Sequence, residues 1–348
     1  MLSFTRKTTC LAIILIFTKI GAFAQFDTTA LSSQLNKSKD KLGKEVAFML
    51  YKDGKVLYKK EIGGMTVKTP VPIGASSQWL TTALVMTYVQ EGKISLDDKV
   101  SSYLPIFSKY YKGFVTIRHC LTNATGIKSE EGVAKILQKN NFATLEAEVN
   151  DFASKRDIMT NAGTETRYSN VGFNIAGRVL EVVTKRTFER LMQERIIRPL
   201  AMKNTTFTNE NYNDAINPST GAKSTASDMT NFLAMLLNKG SFNNKPVLTE
   251  ASVLELQKIT AEANQIKNVP KAVEGSAYGL GQWKIETTPD GKPETIAVPS
   301  LNGIWPMIDI CKGYAFVLFT GAFSGEQRKD FYMNLKGIVD DNISGGCK

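Results

Sequence analysis

Between Leu80 and Tyr88 the chain reads LTTALVMTY, and a helix drawn through it is apolar on most of its faces. Such a helix cannot lie on a surface with one side wet. It has to sit inside, with other elements packed around it. The chain can supply that enclosure: 348 residues bury a substantial core, and 43% hydrophobic with 22% charged residues is ordinary for a folded globular protein. The helix begins on the small residues of "IGASSQWL", from Ile73, and stops near Gly92.

On either side of this helix the pattern changes. "EVAFMLYKDGKVLYKKEIG" holds two strand-like runs around Asp53-Gly54, a hairpin signal because the tight turn needs residues that accept positive φ. The middle of the chain is helical: Phe173, Ala176, Leu180 and Val183 form a stripe after Asn170. "TASD", Thr225 to Asp228, predicts a capping box opening a helix that ends at Lys239-Gly240. "AYGLGQWKIE" and "GYAFVLFT" return to strand, and a last helix is expected from about Glu326 to Val339. Strands at both ends around a helical middle predict an α+β fold, with one sheet built from both ends. The expected division is a sheet part at about 25–108 and 271–348 and a helical part at about 109–270, within one domain over 25–348.

Residues 1–24 have the form of a secretory signal: basic "MLSFTRK", apolar "LAIILIF", then "AFA" before Gln25. An exported protein, periplasmic or secreted, is therefore expected, with no transmembrane helix once the signal is removed. Removal takes away Arg6, Lys7 and Lys19 and no acid, so the formal charge falls from +10 to +7. No arginine-rich arm or basic-aromatic motif points to nucleic acid. Three cysteines remain, and the apolar surroundings of Cys120 and Cys311 suggest small core residues. His119 is the only histidine, so a His-based zinc site or a Ser-His-Asp triad has one possible member, and "TIRHCLT" reads as a packed, hydrogen-bonded histidine rather than a catalytic base.

Four phrases occur in order: "GKISLDDKVSSYLP", "VTIRHCLTNATGI", "RYSNVGFNIAGRVLEVVTKRTFERLMQERIIRPLAMKNTTF" and "GAKSTASDMTNFLAMLLNKG". With "YGLGQW" and "PMIDICKGYAFVLFT" the ordered set resembles the serine β-lactamase and penicillin-binding-protein superfamily, in its class C and DD-peptidase-like branch, across nearly the whole mature chain. The resemblance implies a β-lactamase/transpeptidase-like fold: a mainly antiparallel sheet flanked by helices, with an inserted all-helical subdomain. It also implies acyl-transfer chemistry that needs no metal or organic cofactor. In that family a serine at a helix start forms an acyl-enzyme, and a lysine one turn on takes its proton. A Tyr-x-Asn segment and a third motif on an edge strand complete the pocket.

Carried onto this sequence, the nucleophile position falls on Ala75 and the lysine position on Gln78. A methyl group cannot attack a carbonyl, and a carboxamide is no base at neutral pH. Shifting the frame pairs Ser76 with Trp79 or Ser77 with Leu80, restores no lysine, and turns the apolar stripe by about 100°. A distant lysine, such as Lys68, would have to reach the site in space. The second motif survives as Tyr168-Ser169-Asn170, read either as a phenol and amide facing the pocket or as a locally packed tyrosine before a capping asparagine. The third falls on Val298-Pro299-Ser300, with Val298 lacking the polar group and Ser300 replacing a glycine.

These residues favour a β-lactamase-like serine hydrolase homologue without catalysis, a pseudoenzyme whose cleft binds a peptide, a cell-wall (peptidoglycan) fragment or a protein partner. The alternative is an active esterase, amidase or acyltransferase with rearranged chemistry, using Tyr168 as base and Ser76, Ser77 or water as nucleophile. Tyrosine's ordinary pKa is about 10, so this route requires a cation beside Tyr168.

Overall fold

The computed structural model describes residues 26–129, 142–208, 214–321 and 329–347. The proposed signal, residues 1–24, lies outside them. Asp53 at φ 49° and Gly54 at φ 79° form the expected tight turn, joining β1 (Val46–Lys52) to β2 (Lys55–Ile62). The other strands come from the last third: β3 (Ala277–Gly279), β4 (Gln282–Thr287), β5 (Pro293–Ala297), β6 (Trp305–Asp309) and β7 (Tyr314–Thr320). They form one seven-stranded antiparallel sheet in the order β2-β1-β7-β6-β5-β4-β3. The two ends of the chain meet where Val46 pairs with Thr320 and Lys52 with Tyr314.

Alternation along β1 sends its side chains to two cores. Val46, Phe48 and Leu50 face a cluster with α1 (Thr29–Ser38) and α7 (Lys329–Asn342), where Trp305 stacks on Tyr332 at 4.0 Å. Ala47 and Met49 face the larger core, which holds α2 (Ser77–Val89), α4 (Val171–Thr184) and α5 (Ala226–Leu237). Every residue of α2 from Ser77 to Tyr88 is buried, as its apolar circumference predicts, and Trp79 meets Phe232 of α5 edge-on at 5.7 Å. The helical layer adds α3 (Leu145–Ser154), packed on α4, and α6 (Glu250–Gln257).

Three expectations need correction. Thr225 does cap α5 by accepting the Asp228 N–H at 3.0 Å, but Asp228 does not reach back to complete a box. Its carboxylate accepts instead from Asn204 N and from the buried Thr205 Oγ1, each at 2.8 Å. Cys311 is not a lone core residue: it is half-buried and disulfide-bonded to Cys347, leaving Cys120 as the buried free thiol. The last helix ends at Asn342, three residues beyond the expected Val339, and its expected start at Glu326 lies outside the described residues.

His119 behaves as read. Its Nδ1 accepts from Thr116 N while its own N–H donates to Thr116 Oγ1, both at 3.2 Å, in a reciprocal cap that commits the ring to structure. Burial pushes its pKa down. Among the described residues no helix is long and apolar enough to cross a membrane.

Candidate functional site

The start of α2 is tied down on two sides. Ile73 N donates to Ala222 O at 2.9 Å, beside the short antiparallel pair of Val71–Pro72 with Lys223–Ser224. On the other side Asn302 Nδ2 donates to Pro72 O at 3.1 Å, and a Cβ added to Gly74 would run into the Ser300 hydroxyl. Gly74, at φ 49°, is therefore required both by its backbone and by this close approach. The chain then makes a single 3-10 turn, Gly74–Ser76, which passes into α2.

This geometry gives each residue of the first motif a distinct environment. Ala75 is half-buried, whereas Ser76, Ser77 and Gln78 are fully buried. Ser76 Oγ donates to Val298 O at 2.6 Å, and Ser77 Oγ accepts from Ala222 N at 3.1 Å. Both hydroxyls are thus held by backbone groups. Ser76 fastens α2 to the third-motif segment, and Ser77 fastens it to the segment before α5.

The second motif is positioned from the opposite side. Thr166–Arg167 pairs in parallel with Ile266–Lys267, and Tyr168 N donates to Lys267 O at 3.1 Å. Asn123, from "TNATGI", accepts from Ser169 N at 3.2 Å and donates to the Tyr278 hydroxyl at 2.9 Å, locking the turn onto β3. The Tyr168 ring packs against Trp283 at 5.2 Å and edge-on to Tyr278 at 6.1 Å. Asn170 stands at the N-terminus of α4 but makes no capping hydrogen bond, so it is not the cap that one reading of the motif expected.

The motifs converge. The Tyr168 hydroxyl lies beside the Gln78 amide and the Trp283 indole, near enough to be stabilised by both as an anion, yet neither contact has hydrogen-bond geometry. Gln78 Nε2, Gln78 Oε1 and Tyr168 Oη are all buried without a hydrogen-bond partner among the described residues. Ala75 and Gln78 therefore sit between Tyr168 on one side and Val298 and Ser300 on the other. Asn123, Tyr278 and Trp283 were not singled out from sequence; their signal was present only as the phrases "TNATGI" and "YGLGQW".

Among the described residues no cation acts on the Tyr168 hydroxyl. Lys68 is exposed and acts on Glu61. The buried Lys284 on β4 donates to Leu256 O at 3.0 Å and Gln282 Oε1 at 3.1 Å, at the end of α6. Burial pushes the Tyr168 phenol well above its ordinary pKa, and no positive charge opposes that shift. A tyrosine base would need the opposite shift. A possible metal-ligand grouping of Glu294, Asp309 and Cys311 has its sulfur committed to Cys347 and its Asp309 paired with Lys336 Nζ at 3.1 Å, so it does not fit a metal ion.

The orphaned amide at Gln78 has a measurable consequence. A buried polar group without partners costs about 1–3 kcal/mol, whereas an apolar side chain of similar shape does not. Gln78→Met is expected to raise the unfolding free energy by about 1 kcal/mol in urea titration. A loss of stability would mean that the amide is satisfied in solution.

Residues 37–334 match the family model described as Beta-lactamase. The chain belongs to the Beta-lactamase family. Among curated relatives it is 28% identical over 178 residues to Protein flp of Staphylococcus aureus strain MW2, an alignment covering 48% of this chain and 35% of flp. It is 25% identical over 349 residues to Beta-lactamase-like protein 4 of Dictyostelium discoideum, covering 83% of this chain and 58% of that protein. The chain thus spans about a third of flp's length and just over half of the Dictyostelium protein's. Among solved structures, a protein of Bacteroides dorei DSM 17855 assigned to the β-lactamases superposes with TM-score 0.80 at 25% identity, covering 90% of this chain and 99% of that one. The hydrolase EstCE1 shares the fold with TM-score 0.75 at 18% identity, over 89% and 97% of the two chains. The Beta-lactamase fold is thereby shown.

Proposed function

We propose that this Beta-lactamase family member is a pseudoenzyme, an exported protein whose cleft holds a peptide, a peptidoglycan fragment or a protein partner without cleaving it. The observation that carries this reading is the pair Ala75 and Gln78, set in the family's register beside Tyr168. On that register a methyl group and an unpartnered carboxamide stand in for the hydroxyl and amine that acyl transfer needs. The neighbouring serines give no substitute, since both are buried and hydrogen-bonded to backbone groups. With no cation acting on it, Tyr168 lacks the depressed pKa that the rearranged-hydrolase reading requires.

Export is supported by the form of residues 1–24 and by the Cys311–Cys347 disulfide, a bond that persists in oxidising compartments. The half-buried surface left by Ala75, Tyr168, Ser169 and Asn170 is the face on which a ligand would rest.

The test is incubation of the purified mature protein with a fluorescent penicillin and a chromogenic cephalosporin. No covalent band and no hydrolysis above buffer are expected. Labelling that maps to Ser76 or Ser77, or ester hydrolysis that Tyr168→Phe abolishes, would establish the rearranged enzyme instead.

A further inference from the structure

The two edges of the seven-stranded sheet are treated differently. At one end Tyr278 of β3 donates to Ala261 O at 2.9 Å and accepts from Ala261 N at 3.1 Å, so a neighbouring segment covers that edge. At the other end β2 pairs with β1 only, and no described strand lies along its outer side. An uncovered edge offers a row of backbone donors and acceptors to any extended chain that can approach it.

What can approach is set by the side chains. Lys55, Val56, Leu57, Lys59 and Glu61 of β2 are exposed, with Val56 at 48% and Leu57 at 36% exposure. The Tyr58 hydroxyl bonds Ser32 Oγ at 2.7 Å and holds α1 against this strand. The end of α1 and the turn after it bring the exposed Lys37, Lys39, Lys41 and Lys44. Residues 37–62 contain eight lysines and four acidic residues, a formal +4 in a chain whose total is +10. Of the lysines on β2, only Lys59 has a carboxylate partner among the described residues, Glu61 at 3.4 Å.

This charge selects the occupant. Lysines along an edge repel a second copy of the same edge, which is their usual protective effect. They attract an edge of opposite sign. An anionic bilayer would satisfy the charge but could not pair with a row of N–H and C=O groups. A peptide strand can do both, and Val56 and Leu57 give it apolar contact.

We propose that the outer edge of β2 takes an acidic, extended peptide segment of a partner protein as an eighth strand. The pairing is non-covalent and independent of the cleft, so it stands whether or not Ala75 and Gln78 abolish catalysis.

The probe is a capped, fluorescent seven-residue peptide alternating glutamate and valine, titrated with the mature protein at low salt. Saturable anisotropy is expected, with slower amide exchange over residues 55–62. Lys55→Glu combined with Lys59→Glu should weaken binding by about tenfold while leaving the melting temperature near that of the wild type. The same peptide carrying N-methyl groups at alternate amides keeps its charge but loses its pairing edge, and should not bind. Three results would overturn the proposal: equal binding of the methylated peptide, absence of peptide binding up to about 1 mM, or binding to phosphatidylglycerol vesicles with none to the peptide.

Discussion

Ala75→Ser combined with Gln78→Lys is expected to make the protein take a covalent penicillin label. The new hydroxyl would stand on the half-buried turn where Ala75 now meets the surface. The new amine would lie in a buried position beside the Tyr168 hydroxyl, with no carboxylate among the groups acting there. Burial without a counter-charge lowers an amine's pKa, which is the condition for it to accept the serine proton near neutral pH. General-base help of this kind contributes about 100- to 10,000-fold, so Ala75→Ser alone should label more slowly by that factor. The readout is the rate of fluorescent-penicillin labelling, with digestion and mass spectrometry to place the label at position 75. If the double variant melts like the wild type but does not label, the obstacle is the third-motif segment. There the Ser300 hydroxyl occupies the space that a Cβ at Gly74 would need, and Ser300→Gly would be the change to add.

The second large effect is far from the cleft. Cys347 lies beyond α7 and is bonded to Cys311 in the turn between β6 and β7, closing a stretch 36 residues long. Cross-linking residues that far apart removes disorder from the unfolded chain worth about 3–4 kcal/mol in the chain-entropy account. Cys347→Ser should lower the unfolding free energy by about that amount, read as a shift of the urea midpoint with an altered slope. Dithiothreitol should reproduce the loss in the wild type and leave the variant unchanged. Full stability in the variant would show that Lys312 holds the segment alone, through its bond to Asp340 O at 2.9 Å.

What the sequence made legible follows the range of the forces involved. The hairpin at Asp53-Gly54 and the buried circumference of α2 depend on neighbours along the chain, and both were readable from pattern. Ordered phrases with fixed spacing were enough to carry the family, which the match over residues 37–334 bears out. The fate of Ser76 was not readable, because its partner is a backbone carbonyl 222 positions away. Side-chain type says nothing about where a carbonyl will pass. The same applies to Asp228, whose local role as a cap lost to two donors more than twenty positions away, Asn204 N and Thr205 Oγ1. Cys311 looked like a core residue because its neighbours are apolar, while its partner lay at the far end of the chain. Tyr168 answered to both of its readings: its ring packs on Trp283 and its hydroxyl is at Gln78, a combination that a three-residue motif cannot express.

The pairing of β1 with β7 also sets a timetable for the chain. Its partners are between 262 and 274 residues apart, so the centre of the sheet cannot close until Tyr314–Thr320 has been made. At about 5–20 residues per second, the first hairpin waits on the order of 10–50 s after synthesis for its neighbour. During that time the inner edge of Val46–Lys52, later buried, is as open as the outer edge of β2. A nascent chain in that state is a natural client for a holding chaperone, and its vulnerability ends only when Tyr314–Thr320 arrives.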